Sequence, residues 1–180
     1  MKYLIFFVII CFITFSCKKE EEVKVVGSGL YYGTFNAKKG TIDWDAKAYG
    51  VYDTLRWKKD AIGIFGRFFE KNIWKETIAF SEVPLKKGIY PLKRANWSSK
   101  QGNVGAVYFI EFENGHVNGE EFVLDTLSQT NRFEVTDYNS ENGEVKVKFT
   151  ATFFIKNRDK ASILDTIKFT NGEILTRAYN

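Results

Sequence analysis

Residues 144–156 read EVKVKFTATFFIK, and apolar and polar side chains alternate along almost the whole stretch. Successive side chains of an extended strand point to opposite faces of a sheet, so this alternation gives the strand one apolar face. That face carries Val145, Val147, Phe149, Ala151, Phe153 and Ile155. The opposite face is polar except at Phe154. We therefore predict a strand that buries one side against a core, with a single large apolar residue on its other side.

The same period of two residues recurs through most of the chain from Leu30 onward. It predicts further strands at 30–37, 41–48, 51–57, 61–68, 73–80, 104–113, 120–126, 132–138, 162–170 and 173–178. The longest irregular stretch runs from Pro84 to Asn103 and contains Pro91 and Gly102.

Three Asn-Gly pairs separate predicted strands, at 114–115, 142–143 and 171–172. Asn-Gly takes the positive φ angles that tight hairpins require, so we expect antiparallel neighbours at each of them. Parallel strands need crossovers of a dozen or more residues, and no helical stretch is present to provide these. The sequence thus predicts an all-β domain of about nine to eleven strands, either an antiparallel β-sandwich or a flattened β-barrel.

The N-terminus has the pattern of an export signal over residues 1–16. Lys2 precedes an apolar run from Leu4 to Ile13, and charged residues begin again at Lys18. A membrane-spanning helix needs about 20 apolar residues, so this run is too short to remain as an anchor. We expect the segment to be cleaved after Ser16.

The sequence Thr14-Phe15-Ser16-Cys17 resembles the lipobox of bacterial lipoprotein signal peptides. The resemblance implies that Cys17 becomes the lipidated N-terminus and that the membrane is a partner through this lipid. Residues 17–28 then form a charged, flexible tether, and residues 29–180 form a single domain. The acidic run Glu20-Glu21-Glu22 resembles the surface-export signal of some Gram-negative lipoproteins. A solvated spacer is the alternative, so the outward and periplasmic orientations both stay open.

A second resemblance covers most of the remaining chain. Its segments are IDWDA at 42–46, FEVTDY at 133–138, VKFTATF at 147–153 and IKFTNG at 167–172. These resemble segments of small β-rich surface lipoproteins of Gram-negative bacteria whose function is unknown. The likeness implies a β fold and an outer-membrane address. It implies no catalytic residue, because the similar positions are turn and core residues.

Residues able to bind a metal or act as a nucleophile are scarce. Cys11 lies in the segment to be removed, Cys17 is expected to carry lipid, and His116 is the only histidine. A zinc site or a Ser-His-Asp triad needs more than this, so we expect no metal and no cofactor. Asp137, Asn139 and Glu141 partly match a calcium loop, but Lys148 stands where its last ligand would be. We expect an acidic turn there, with weak calcium binding left open.

An enzymatic alternative rests on paired carboxylates, because glycosidases need only two of them across a cleft. Asp43 and Asp45 share one strand face. Alternating acids opposite Trp44 are also what a solvent-facing strand shows, and this is the interpretation we adopt. The enzymatic alternative is a hydrolase of surface polysaccharide.

Aromatic residues make up 17% of the chain, and rings on a β surface are suited to stacking on sugars. Trp44 and Trp74 align with apolar neighbours, so we expect them in the core. Trp97 lies in the irregular stretch and has the polar neighbours Asn96 and Ser98, so it is the ring we most expect to be exposed. We select it as a candidate ligand contact, and packing beneath a loop is the alternative.

The formal net charge is only +4, and basic and acidic residues are mixed along the chain. This pattern argues against nucleic acid as a partner. The sequence therefore predicts a non-enzymatic binding or accessory module of the cell envelope, with a glycan or an envelope protein as its ligand.

Overall fold

The computed structural model describes residues 33–52, 60–96, 102–111, 119–157 and 165–179. These segments form eleven β-strands. The strands are β1 Gly33–Lys39, β2 Ile42–Val51, β3 Ala61–Glu70, β4 Ile73–Pro84, β5 Gly88–Tyr90, β6 Leu92–Arg94, β7 Val104–Ile110, β8 Glu120–Leu124, β9 Arg132–Asn139, β10 Glu144–Asn157 and β11 Thr166–Tyr179. Within these five segments, no helix has the length and apolar character needed to cross a membrane.

Eight of the strands close into a ring, in the order β1, β2, β3, β4, β7, β8, β10 and β11, with β11 pairing back to β1. Every neighbouring pair in this ring is antiparallel. The remaining strands β5, β6 and β9 lie outside it, with β9 on β10, β5 on β9 and β6 on β7. The all-β class, the antiparallel pairing of the ring and the number of strands are confirmed.

Two parallel pairings depart from the prediction of a wholly antiparallel sheet. β6 runs parallel to β7 over Leu92–Arg94, and β11 meets β2 in parallel at Ala178 and Tyr179. The chain between β6 and β7, residues 95–103, is shorter than the dozen residues that a parallel crossover usually takes. The second pairing arises because β1 begins at Gly33, which pairs with Thr176 of β11. β11 continues beyond this pair, and its last residues pair with β2 instead.

The three Asn-Gly pairs have different outcomes. Asn142-Gly143 lies in the turn between β9 and β10, and Gly143 has a φ of 73°, as predicted. The hairpin predicted at Asn171-Gly172 is wrong, because β11 continues through it and 162–170 and 173–178 do not form two strands. There β11 carries one residue more than either neighbour, which makes a β-bulge with Asn171 at a φ of 52°. Asn114-Gly115 lies outside the described residues.

Aromatic rings fill the inside of the ring of strands. Phe35 packs edge-on against Trp44 and Phe149, and Phe80 lies 4.8 Å from Phe133 between ring centroids. The position of the Phe149 ring requires glycine at its register partner on the neighbouring strand β11, because a Cβ at Gly172 would lie 2.1 Å from that ring. The apolar alternation read from 144–156 is thus explained by an interior packed with side chains.

The stretch from Pro84 to Asn103, predicted to be irregular, holds two strands of three residues each. Pro91 separates β5 from β6, which pair with β9 and β7 respectively. Runs this short are below the length at which a period of two can be recognised. β6 ends at Arg94, and Arg94, Ala95 and Asn96 lie at the outer face of the barrel.

Candidate functional site

A groove of about 600 Å³ lies on the outer face, where β6, β7, β8 and β10 meet. β6 and β8 occupy the same edge of β7 in succession, since β6 pairs with Val104–Ala106 and β8 with Val107–Ile110. The junction between these two short strands leaves the groove. Its lining comprises Arg94, Ala95, Asn96, Ala106, Val107, Glu121, Val123, Phe154, Ile155 and Lys156.

The floor of the groove is an apolar row that crosses three strands. Val107 pairs with Val123, and Val123 pairs in turn with Phe154. Directly paired side chains on adjacent strands point to the same face of a sheet and lie in contact distance. Phe154, the one apolar residue on the polar side of 144–156, is therefore the end of this row and not an isolated exception.

Arg94 lies above the row. Its guanidinium carbon is 5.0 Å from the centroid of the Phe154 ring, and its Nε donates to the carbonyl oxygen of Leu124 at 3.2 Å. Within the described residues, its two terminal Nη groups have no hydrogen-bond or ion-pair partner. Arg94 is thus oriented by two contacts, while no described residue occupies its planar pair of donors at the groove.

The other charges of the groove compensate each other. Lys156 Nζ donates to both carboxylate oxygens of Glu121, at 3.0 and 3.1 Å. This ion pair is partly exposed, so it contributes little to folding stability. Its consequence is electrostatic, because among the described residues that line the groove Arg94 is then the charge without a counter-charge, and it gives this lining a net positive character.

A second polar cluster lies inside the barrel, near the β1–β2 turn. Lys39 Nζ donates to Glu76 Oε1 at 2.6 Å and to the Tyr108 hydroxyl at 2.9 Å, and Trp44 Nε1 donates to Glu76 Oε2 at 2.6 Å. Burial, followed by the negative charge of Glu76, holds the pKa of Tyr108 well above its usual value. Tyr108 therefore stays protonated at physiological pH.

This interior cluster was missed by the sequence reasoning, although a signal exists. Glu76 shares its strand phase with Ile78 and Phe80, so a carboxylate stands in the apolar register of β4. Lys39 likewise lies on the same face of β1 as the buried apolar residues Phe35 and Ala37. Both oxygens of Glu76 are bonded within the chain, so the cluster satisfies buried polar groups and closes one end of the core.

Asp43 and Asp45 lie on the exposed face of β2, which does not contribute to the groove. The Asp43 side chain is 72% exposed and contacts Lys38. Neither carboxylate is among the described residues that line the groove, and the exposure of both agrees with a solvent-facing strand.

Several side-chain oxygens of the acidic turn, residues 137–144, are bonded within the chain. Lys87 Nζ lies 2.9 Å from Asp137, and this contact lowers the pKa of the Asp137 carboxyl. Asn139 Oδ1 accepts the backbone N–H of Glu141. Across the described segments, no group of three or more His, Cys, Asp and Glu side chains is placed to hold a metal ion.

The tryptophans divide between the two faces. Trp44 is 3% exposed in the interior, as predicted. The prediction of a core position for Trp74 is wrong, because a bulge in β4 shifts its phase and turns the ring outward, where it lies half-buried. There Trp74 stacks on Arg67 at 4.3 Å and donates to Thr77 Oγ1.

Several predicted sites lie outside the described residues, among them Cys17, Trp97, His116 and the segments 1–16 and 17–28. Asn96, the residue before Trp97, lines the groove. Together the apolar row, the Arg94 donors and the compensated Lys156–Glu121 pair provide the elements of a binding site for a ligand with both apolar and polar parts. No family model matches this chain, and comparisons with curated proteins and with solved structures found no significant match.

Proposed function

We propose that this protein is a non-enzymatic binding module of the bacterial cell envelope, and that it takes its ligand in the groove between β6, β7, β8 and β10. The observation that supports this most directly is the combination of a ring-filled interior with an outer groove of about 600 Å³. The packed interior offers little space to a ligand, whereas the groove offers an apolar floor and oriented donors.

The address is part of the proposal. Residues 1–16 direct export, Cys17 carries the lipid, and the tether 17–28 holds the domain at the outer membrane of a Gram-negative cell. At least two acyl chains are needed for stable anchoring, and a lipobox cysteine would supply them. Mass spectrometry of protein from its native host should find Cys17 acylated at the N-terminus, and an unmodified Cys17 thiol would contradict this part.

Binding through the groove is tested with the purified full chain and an immobilised panel of envelope polysaccharides. Val123→Glu places a charge in the middle of the apolar row and should abolish binding. Leu175→Glu is the matched control, because Leu175 is a partly exposed apolar residue on β11, outside the groove. Trp97→Ala should weaken the same binding if this residue contacts the ligand.

Two results would contradict the proposal. Equal binding by the Val123→Glu and Leu175→Glu variants would remove the groove as the site. Release of reducing sugar from a bound polysaccharide, lost in Asp43→Asn or Asp45→Asn, would support the hydrolase instead. Unchanged affinity in Trp97→Ala would remove only that residue from the site.

A further inference from the structure

We propose that the groove recognises an acidic polysaccharide, and that Arg94 binds the carboxylates of its uronic acid residues. This inference rests on the proposed function and specifies the ligand of the same site. It follows from the charge of the groove, the geometry of Arg94 and the apolar row beneath it.

The geometry of Arg94 favours a carboxylate. A guanidinium presents parallel N–H donors that match two carboxylate oxygens, and such paired bonds are stronger than neutral hydrogen bonds. Stacking on Phe154 and the bond from Nε to the Leu124 carbonyl already orient the side chain. A ligand therefore pays less to order these donors than it would with a mobile lysine.

The charges of the groove residues indicate that Arg94 is the residue that contacts the ligand carboxylate. Lys156 is bonded to both oxygens of Glu121, so these two residues contribute no net charge. Arg94 has no acidic partner among the described residues. An anionic group entering the groove thus meets one cation that no described residue compensates, and a neutral ligand would not supply a counter-charge to it.

The apolar floor of the groove is the reason for proposing a sugar polymer as the ligand. The row Val107–Val123–Phe154 spans two strand spacings, roughly 10 Å. Val107 is only 3% exposed, so the apolar surface that a ligand can reach is provided by the partly buried Val123 and Phe154 on the adjacent strands β8 and β10. The C–H face of a pyranose ring packs against such a surface. Arg94 and Lys156, at the sides of the row, are exposed among the described residues, and a chain of sugars would continue past them.

The test is calorimetric titration of the full chain with short oligogalacturonates. Fully methyl-esterified oligomers carry the same rings without charge, and oligoglutamate carries the carboxylates without sugars. Arg94→Gln should weaken galacturonate binding at least about tenfold, which is the effect expected for loss of charge-assisted hydrogen bonds. Arg94→Lys keeps the charge but not the paired donors, so it should also bind more weakly than the native chain.

Arg132→Gln is the matched control, because Arg132 is an exposed arginine on β9, outside the groove, that already pairs with Glu134. Its affinity should equal that of the native chain. Equal affinity of Arg94→Gln, or equal binding of the esterified oligomers or of oligoglutamate, would overturn the inference. Binding of a neutral polysaccharide that Val123→Glu abolishes would overturn the acidic ligand and leave the proposed function standing. Failure of every polysaccharide to bind would contradict both.

Discussion

The interior cluster and the outer groove each contain a cation beside an aromatic ring, and they differ in what else the cation contacts. Lys39 lies 5.4 Å from the Tyr108 ring centroid and also donates to Glu76 and to the Tyr108 hydroxyl. Arg94 lies 5.0 Å from the Phe154 ring centroid, with its terminal donors unused by the described residues. A cation whose donors are bonded within the chain serves folding, whereas one that is oriented but unsaturated is suited to a ligand.

The largest expected effect comes from the packed interior. Phe80→Ala should lower the free energy of unfolding by about 3–5 kcal/mol, because it leaves a cavity between Phe35, Phe133 and Phe149. Phe154→Ala in the groove should cost about 1 kcal/mol, because that ring is only partly buried. Urea unfolding of both variants measures the difference, and equal losses would contradict the contrast between the two regions.

The next effect concerns the interior cation. Glu76→Leu leaves Lys39 and the Trp44 Nε1 donor without their carboxylate, and should cost about 2–3 kcal/mol. The second substitution Lys39→Met should recover part of this loss, because it removes the unpaired ammonium. A double-mutant cycle by urea unfolding measures the coupling. Additive costs would show that Lys39 and Glu76 do not stabilise each other.

The pH dependence of stability tests the same cluster more finely. Burial and the charge of Glu76 raise the pKa of Tyr108 in the folded chain, so the unfolded chain releases this proton first. The contribution of Tyr108 is therefore complete below about pH 10 and is lost as the pH rises further. The free energy of unfolding should fall above that pH, and Tyr108→Phe should make the fall shallower. An unchanged slope in Tyr108→Phe would contradict the raised pKa.

The smallest effect is expected at Arg94. Arg94→Gln should lower the free energy of unfolding by less than about 1 kcal/mol, since the side chain is exposed and makes only one hydrogen bond, to the Leu124 carbonyl, and one stacking contact, with Phe154. The change is measured by urea unfolding beside that of Glu76→Leu. A cost comparable to that of Glu76→Leu would mean that Arg94 is a structural residue, and the distinction between the two cations would fail.

Much of the fold could be predicted because its strands are long and bury one face. The alternation in 144–156 predicts β10, and that in 61–68 predicts β3, almost to their ends. β5 and β6 could not be found, since three residues carry too little of a period. The choice of a closed barrel over a sandwich depends on the pairing of β1 with β11, which are separated by most of the chain.

The two Asn-Gly pairs 142–143 and 171–172 show where local chemistry stops being decisive. Each contains a residue at positive φ, Gly143 in the first and Asn171 in the second. One makes a hairpin turn and the other a bulge, because β11 has partner strands on both sides of Asn171 and continues between them. The Asn-Gly dipeptide favours a positive φ angle, whereas the pairing of distant strands determines whether that angle forms a hairpin turn or a β-bulge.

The candidate site was visible in part. Phe154 stands out from the sequence because it breaks the polar face of its strand, but Arg94 does not, because 60 positions separate it from that ring. The groove also depends on the succession of β6 and β8 along β7, which no local pattern predicts. Trp97 stays a prediction, next in the chain to the groove residue Asn96.

The central claim is that ligand binds at the outer groove and leaves the interior cluster undisturbed. Titration of the isotopically labelled chain with an oligogalacturonate, followed by NMR chemical shifts, tests this directly. The account predicts shifts at residues 94–96, 121–123 and 154–156, including the Arg94 side-chain Nε–H, with Lys39, Glu76 and Tyr108 unchanged. Largest shifts at Lys39, Glu76 and Tyr108, with the groove unaffected, would contradict it.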